Sequence, residues 1–343
     1  MSGADNIKRS RRSSGAITLR DVAKLAGVSP ITASRVLNTP DQVAVDTRQK
    51  VLEAVQRTGY VPNRMAGGLA SSRSRLIAAV VPSTVMSVFM ETIEALNASL
   101  FDAGYQLMLG QSGYSTVREE LLLEAIIGRR PDGIFLTGIL QQGKGRSRLL
   151  ASGIPVVETW DLTPTPIDMI VGFSHQDIGR DVARFFIGKG HRSVGIVQAN
   201  DERAHRRSQV FSDVIAQNGQ ARPFIVNVGE SRTIKSGREA LVRLLQARPD
   251  VDAIFCSSDL LALGVLTEAR ERGISVPGRI AIMGFGDVPF VADMVPALST
   301  VRINGANIGK LAARCLIERA DERPVEQRVV DVGFSLVERE TTR

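Results

Sequence analysis

Thr32, Ser34 and Arg35 lie within four residues of one another, just after Gly27-Val28-Ser29-Pro30. Two hydroxyl donors and a guanidinium on one short helix suit that helix to the major groove of duplex DNA. There an arginine reads guanine through two hydrogen bonds worth about 1–3 kcal/mol of base discrimination. A second set of polar types lies far downstream: Glu158 and Asp161, then Arg203, His205 and Arg207, then Asp259 and Asp287. None of them has a catalytic spacing. The chain has no Gly-x-x-x-x-Gly-Lys-Ser/Thr loop and no Gly-x-Ser-x-Gly elbow. Its three histidines, His175, His191 and His205, lack metal-ligand spacing. The chemistry is that of binding, and no cofactor or metal is expected.

The elements that position the first set can be read from their start and stop signals. Thr18 caps a helix, with Asp21 three residues on as in a capping box. Leu19, Val22, Ala23 and Ala26 form its apolar face, and Gly27 ends it. Ser29 caps the next helix, with Pro30 at the first helical position. Asp46 is read as the cap of a third, whose apolar face is Val51, Leu52 and Val55. Two helices joined by a short glycine-containing turn make a helix-turn-helix. Charge agrees: residues 1–75 hold 13 Lys and Arg against 5 Asp and Glu, a balance of +8, and the remainder balances at −1. An excess so localised is the footprint of phosphate binding.

At 343 residues the chain has room for two or three domains. Cys256 and Cys315 are far apart, which fits a reducing cytosol better than a disulfide framework. No apolar run reaches the roughly 18 residues of a membrane span. Residues 1–16 are charged with no apolar region after them, so a disordered basic arm is expected rather than a secretory signal.

From residue 75 the pattern becomes strands alternating with helices. Strand-length apolar runs occupy 76–81, 106–110, 133–138, 155–159, 169–173, 193–198, 253–257 and 280–285. Amphipathic helical segments occupy 89–103, 118–128, 179–189, 208–218, 236–247 and 260–272. Strands apolar on both faces imply parallel, doubly wound sheets, and so many strands require two of them. Ligands bind such sheets at the carboxyl ends of strands. Ser83, Glu158, Asp161, the stretch Asn200 to Arg207, Ser257 to Asp259, and Asp287 stand at those ends. A cleft lined this way with carboxylates, hydroxyls and cations suits a polyhydroxylated ligand.

Residues 17–70 resemble the headpiece of the lactose/galactose repressor family of bacterial transcription regulators. The shared signature is T-L-x-D-V-A-x-x-A-G-V-S, T-x-S-R-V-L-N and G-Y-x-P-N-x-x-A-x-x-L, matched from Thr18 to Leu69, with Ala33 where valine is usual. Downstream, SSDLLALG (257–264) resembles the family's ligand-hydroxyl motif. RRSQVF (206–211) resembles its Arg-x-x-Gly-Phe segment, with Val210 in place of glycine. IMGFGD (282–287), PALSTVRINGANIG (296–309) and LVERE (336–340) extend the match to residue 340. Segments such as GYQLMLGQSGY, GIPVVETWD and DERAHRRSQVF are similar to the gluconate-utilisation branch of the family.

The resemblance implies the rest of the organisation. After the arm come a helix-turn-helix headpiece (17–62) and a hinge helix with linker (63–74). An effector-binding and dimerisation core (75–343) follows, built of two doubly wound lobes of periplasmic-binding-protein type. The first lobe would take 75–173 plus 304–326, and the second 174–303 plus 327–343. DNA would be met by Thr18, Ser29, Pro30, Ile31, Thr32, Ser34 and Arg35, and by Asn63, Arg64, Ala66 and the apolar wedge Leu69 of a hinge entering the minor groove. The effector would be held by Ser83, Phe89, Glu158, Asp161, Arg203, His205, Arg207, Asp259 and Asp287, with Arg207 as the ligand-facing cation and Asp259 accepting from hydroxyls. The function implied is a cytoplasmic, homodimeric repressor of sugar-acid catabolism, released from a pseudo-palindromic operator by its effector. A neutral or phosphorylated sugar as effector, and a sugar-processing enzyme carrying a DNA-binding domain, are the alternatives.

Overall fold

Residues 17–61, 73–83, 88–113, 115–229 and 232–343 are described by a computed structural model. The basic arm and Asn63, Arg64, Ala66 and Leu69 of the expected hinge lie outside the described residues. The chain divides into one unit ending at Arg73 and a second running from Ser74 to Arg343.

In the first unit, helices α1 (Leu19–Ala26), α2 (Pro30–Asn38) and α3 (Val45–Thr58) enclose a small core of Val22, Ala23, Ala33, Val36, Val51 and Ala54. The start of α1 is held by Asp21, whose carboxylate accepts from the Thr18 backbone N–H at 2.8 Å and from its hydroxyl at 2.6 Å. Gly27 takes a left-handed backbone (φ 69°), which lets the chain turn at once into α2. Two expectations for α3 need correction. Its cap position is Ala44, so Asp46 lies inside the first turn, where a carboxylate is still favoured by the helix dipole. Leu52 is exposed; Ala54 takes the buried place, because the core-facing side of α3 runs through 51, 54 and 55.

The second unit holds two six-stranded sheets. The first has the order β11-β5-β4-β3-β1-β2, from β1 (Leu76–Val81), β2 (Gln106–Gln111), β3 (Gly133–Thr137), β4 (Val156–Thr159), β5 (Met169–Gly172) and β11 (Val329–Asp331), all parallel. The second has the order β12-β10-β9-β8-β6-β7, from β6 (Val194–Gln198), β7 (Phe224–Asn227), β8 (Ala253–Cys256), β9 (Ala281–Gly286), β10 (Ser299–Arg302) and β12 (Ser335–Val337). Only β10 and β12 pair antiparallel there. The eight apolar runs of the sequence are eight of these strands. The other four are short: Phe224–Asn227 is a largely exposed edge, Ser299–Arg302 a four-residue inner strand, and Val329–Asp331 and Ser335–Val337 three-residue edges.

The helices covering the sheets are α4 (Met90–Asp102), α5 (Thr116–Ile127), α6 (Lys144–Ser152), α7 (His175–Gly188), α8 (Glu202–Gln217), α9 (Ile234–Ala247), α10 (Asp259–Glu271) and α11 (Gly305–Ala320). The chain leaves the first sheet after β5 and comes back to it through α11, which packs on α4, and β11. The return to the second lobe therefore follows Asp331 and not residue 326, since Val329 still pairs with Ile170 of β5. Close approach of α7 and α8 depends on Gly179, where a Cβ would overlap the carbonyl oxygen of Arg207.

Candidate functional site

Helix α2 begins with the Ser29 hydroxyl accepting from Thr32 N–H at 3.1 Å, and Ala33 and Val36 anchor its inner face. Pro30, Ile31 and Arg35 are exposed, and Thr32 and Ser34 half-buried. Ile31 is 68% exposed, a large apolar side chain free to meet a thymine methyl. Asn38 Nδ2 donates to the backbone and side-chain oxygens of Ser34, at 3.0 and 3.2 Å, leaving the Ser34 proton for an outside acceptor. Arg35→Ala should weaken operator binding by about 1–3 kcal/mol and relax preference at one base pair per half-site. Binding titrations over a panel of singly substituted operators check this. A uniform loss with a shallower salt slope would make Arg35 a phosphate contact.

In the second unit a cavity of about 560 Å³ opens at the carboxyl ends of the strands of both sheets. The first lobe supplies Ser83, after β1, Phe89, before α4, and Trp160, after β4. The second lobe supplies Asp201, Arg203 and Arg207 around the start of α8, Arg232 to Lys235 before and in α9, Ser257 to Leu260 after β8, and Phe285 of β9. Each lies where a parallel strand hands over to the next helix, the place at which doubly wound sheets bind ligands.

Arg207 is almost fully buried. Its Nη1 bonds His175 Nδ1 at 2.9 Å, Nη2 donates to Ser257 O at 3.2 Å, and the guanidinium stacks 4.0 Å from the Phe285 ring centroid. Burial lowers its pKa to about 10, so it is still a cation at neutral pH. Burial alone would raise the Asp201 carboxyl, but Arg203, Arg207 and Arg232 outweigh it and hold the group at about 2. Arg232 meets Asp201 at 2.7 Å, and Arg203 lies over the Phe89 ring at 5.6 Å. Among the described residues the cavity thus presents four cations, Arg203, Arg207, Arg232 and Lys235, against two carboxylates, Asp201 and Asp259.

Asp259 opens α10, with Ser258 as the cap. Its carboxylate accepts from Thr300 Oγ1 at 2.6 Å and from Val288 N–H at 3.0 Å. Burial raises its pKa to about 6 in spite of these bonds. A carboxyl easier to protonate folded than unfolded weakens the fold as pH rises from about 4 through 6. Lowering the pH from 7 to 5 should therefore return about 1 kcal/mol of core stability through this group. Urea melts at the two pH values should show that gain in wild type and not in Asp259→Asn; an equal gain in both would locate the titration elsewhere.

A smaller cavity of about 170 Å³ adjoins the first and shares Asp201 and Arg203 with it. It lies beyond the ends of β1, β2 and β3, where Ser112, Thr137 and Glu119 meet Asp161 and Arg206. Asp161 is buried and takes a two-pronged ion pair from Arg206 of α8, a direct link between the lobes.

A model of bacterial regulatory proteins of the lacI family matches residues 18–63, and one of a periplasmic binding protein-like domain matches residues 183–342. The HTH-type transcriptional regulator GntR of Pseudomonas aeruginosa is 37% identical over 97% of this chain and 98% of its own. The chain belongs to the LacI family. The regulator of the same name in Escherichia coli K12 is 32% identical over 93% of this chain and 96% of its own. A solved LacI-family regulator from Silicibacter pomeroyi superposes with a TM-score of 0.88 at 33% identity, over 95% of this chain and 99% of that one. This LacI-family protein is a DNA-binding transcriptional regulator governed by a small-molecule effector, and not an enzyme. Among its described residues no helix is long and apolar enough to cross a membrane.

Within this LacI-family core, Ser83, Phe89, Arg203, Arg207 and Asp259 come together at the large cavity, and Asp161 lines the small one. Three other expected effector residues lie elsewhere. Glu158 is wholly buried and accepts from Leu140 N–H at 2.9 Å and Ile167 N–H at 2.8 Å, tying two loops to the end of β4. His205 is exposed, since two residues of a helix turn it about 200° from Arg207. Asp287 pairs with Arg302 and Arg339. The walls are also less polar than the strand-end residues implied: Phe89, Trp160, Phe285, Val88, Ile234, Leu260 and Val288 supply apolar faces for a carbon skeleton. His175, Arg232 and Phe285 were missed. His175 and Phe285 stand at the carboxyl ends of β5 and β9 and obey the same strand-end rule as the residues that were found; Arg232 lies beyond the short edge strand β7, whose Phe224, Ile225 and Val226 were not read as a strand-length apolar run.

Proposed function

We propose that this LacI-family regulator is a cytoplasmic, homodimeric repressor of sugar-acid catabolism genes, released from its operator by a gluconate-type acid held in the large cavity. The excess of four cations over two carboxylates in the lining carries this reading, because a neutral sugar has no group to match it. The ligand carboxylate goes to Arg207 and Arg203 by charge-assisted hydrogen bonds. Its hydroxyls go to Asp259 and to Ser83, and its carbon chain lies on Phe89.

On DNA, the exposed face of α2 with Thr18, Ser29, Pro30, Ile31, Thr32, Ser34 and Arg35 reads each half of a pseudo-palindromic operator. Asn63, Arg64, Ala66 and Leu69 act at its centre, Leu69 as a wedge in the minor groove. Closure of the lobes on the acid rotates the paired first lobes and uncouples the two hinges. Calorimetry with gluconate, a keto-gluconate, 6-phosphogluconate and glucose tests the ligand class. The acids should bind and release the operator; binding and release by glucose alone would end the sugar-acid reading and leave the repressor reading in place.

A further inference from the structure

His175 joins the two walls of the cavity. It is the first residue of α7, 4% exposed, and its ring packs edge-on to Phe173 at 4.9 Å. Nδ1 lies 2.9 Å from Arg207 Nη1, and Nε2 lies 3.0 Å from the carbonyl oxygen of Trp160. A guanidinium can only donate and a carbonyl can only accept. Nδ1 must therefore be bare and Nε2 must carry the proton, which leaves one neutral tautomer. Burial, followed by the Arg207 charge, keeps the ring from protonating, with its pKa well below the usual value.

The two partners belong to different lobes. Arg207 comes from α8 of the second. Trp160 follows β4 of the first and has a left-handed backbone (φ 61°), costly for so large a side chain. Its indole N–H donates to Thr92 Oγ1 at 3.1 Å and its ring packs edge-on to Phe89, another cavity residue, at 4.9 Å. Any shift of the Arg207 guanidinium toward a ligand changes the hydrogen bond at Nδ1, and the same rigid ring holds the Trp160 carbonyl at its other nitrogen.

We propose that His175 is a positioning residue with two separable tasks: Nδ1 sets the Arg207 guanidinium for the effector, and Nε2 passes the state of that site to Trp160 and the first lobe. The proposal rests on the effector cavity described above. It assigns affinity to one ring nitrogen and response to the other.

Side-chain amides separate the two. In His175→Asn the amide oxygen can stand where Nδ1 stood and accept from Arg207, with nothing at Nε2. In His175→Gln the amide can reach Trp160, with no acceptor left for Arg207. Trp160 is the one tryptophan of the chain, so intrinsic fluorescence reports its environment directly. Gluconate affinity by calorimetry, the Trp160 emission change, and release of an operator selected from a random duplex library are measured for the full-length protein and both variants, beside thermal melts. Nitrogen-15 spectra of the ligand-free wild type read the His175 tautomer without any ligand.

The expected result is that Asn binds gluconate within about threefold of wild type but with a diminished Trp160 response and poor operator release. Gln is expected to bind about tenfold to a hundredfold more weakly, the effect of losing a hydrogen bond to a charged group. The ring should show a protonated Nε2 and a bare Nδ1 down to pH 5. Equal losses in Asn and Gln, tracking their melting temperatures, would reduce His175 to a packing residue, and a protonated Nδ1 would overturn the proposal outright. Failure of wild type to bind gluconate, with the tautomer as expected, would remove the sugar-acid reading and leave the role of His175 supported by the tautomer.

Discussion

Arg207→Ala is expected to abolish operator release by a sugar acid while leaving operator affinity intact. Arg207 is the most deeply buried cation of the cavity, fixed by His175, Ser257 and Phe285. Removing one partner of a desolvated charged pair costs about 3–5 kcal/mol, or two to three orders of magnitude in affinity. The variant should stay on DNA whatever acid is added, a permanently repressing state. Arg207→Lys should fall between, because it keeps the charge and loses the planar fork that reaches His175 and Ser257 together. Operator binding titrated with gluconate, alongside a thermal melt, measures both. Wild-type release by Arg207→Ala would refute this ligand site.

Gly179→Val should destabilise the core by about 3 kcal/mol, at the upper end for overpacking. The obstacle is backbone: a Cβ at 179 overlaps the Arg207 carbonyl oxygen and lies 3.2 Å from Phe211 N. No rotamer change relieves that, so α7 must move from α8. Both His175 and Arg207 ride on these helices, and gluconate affinity should fall with stability. For a core of this size the melting temperature should drop by about 6–12 °C. Calorimetric scans of wild type and variant decide the matter; an unchanged core transition would show that the helices separate without cost.

Local signals carried far in this chain. Thr18, Asp21, Gly27 and Ser29 place the first two helices because caps and left-handed turns are decided within a few residues. The third cap was misplaced by two positions, since Val45 can start a helix as well as Asp46 can cap one. Strands buried on both faces announce themselves as apolar runs, so Leu76–Val81 and Ala281–Gly286 were legible. Phe224–Asn227 and Val329–Asp331 were not, because their apolar residues number only three and two in a row, too short to mark a strand by themselves, and these exposed edges are completed by a neighbour's hydrogen bonds.

The same division runs through the site. Arg203, Arg207 and Asp259 could be placed from strand-end position and motif because chain order alone brings the ends of parallel strands to one rim. Position cannot say where a side chain points. Glu158 turned inward to bind two backbone N–H groups, and His205 turned outward on the helix that carries Arg207.

By itself the sequence determined the helix-turn-helix, the two largely parallel sheets, the confinement of basic charge to residues 1–75 and the family, all of which follow from local propensity, period and motif. Only the tertiary structure decided that His175 stands between Arg207 and Trp160, that Asp161 pairs with Arg206 across the lobes, and that the cavity walls are partly aromatic. Those contacts join residues 15 to 45 positions apart on different elements. They depend on how helices and sheets pack in three dimensions, a non-local outcome that no window along the chain contains.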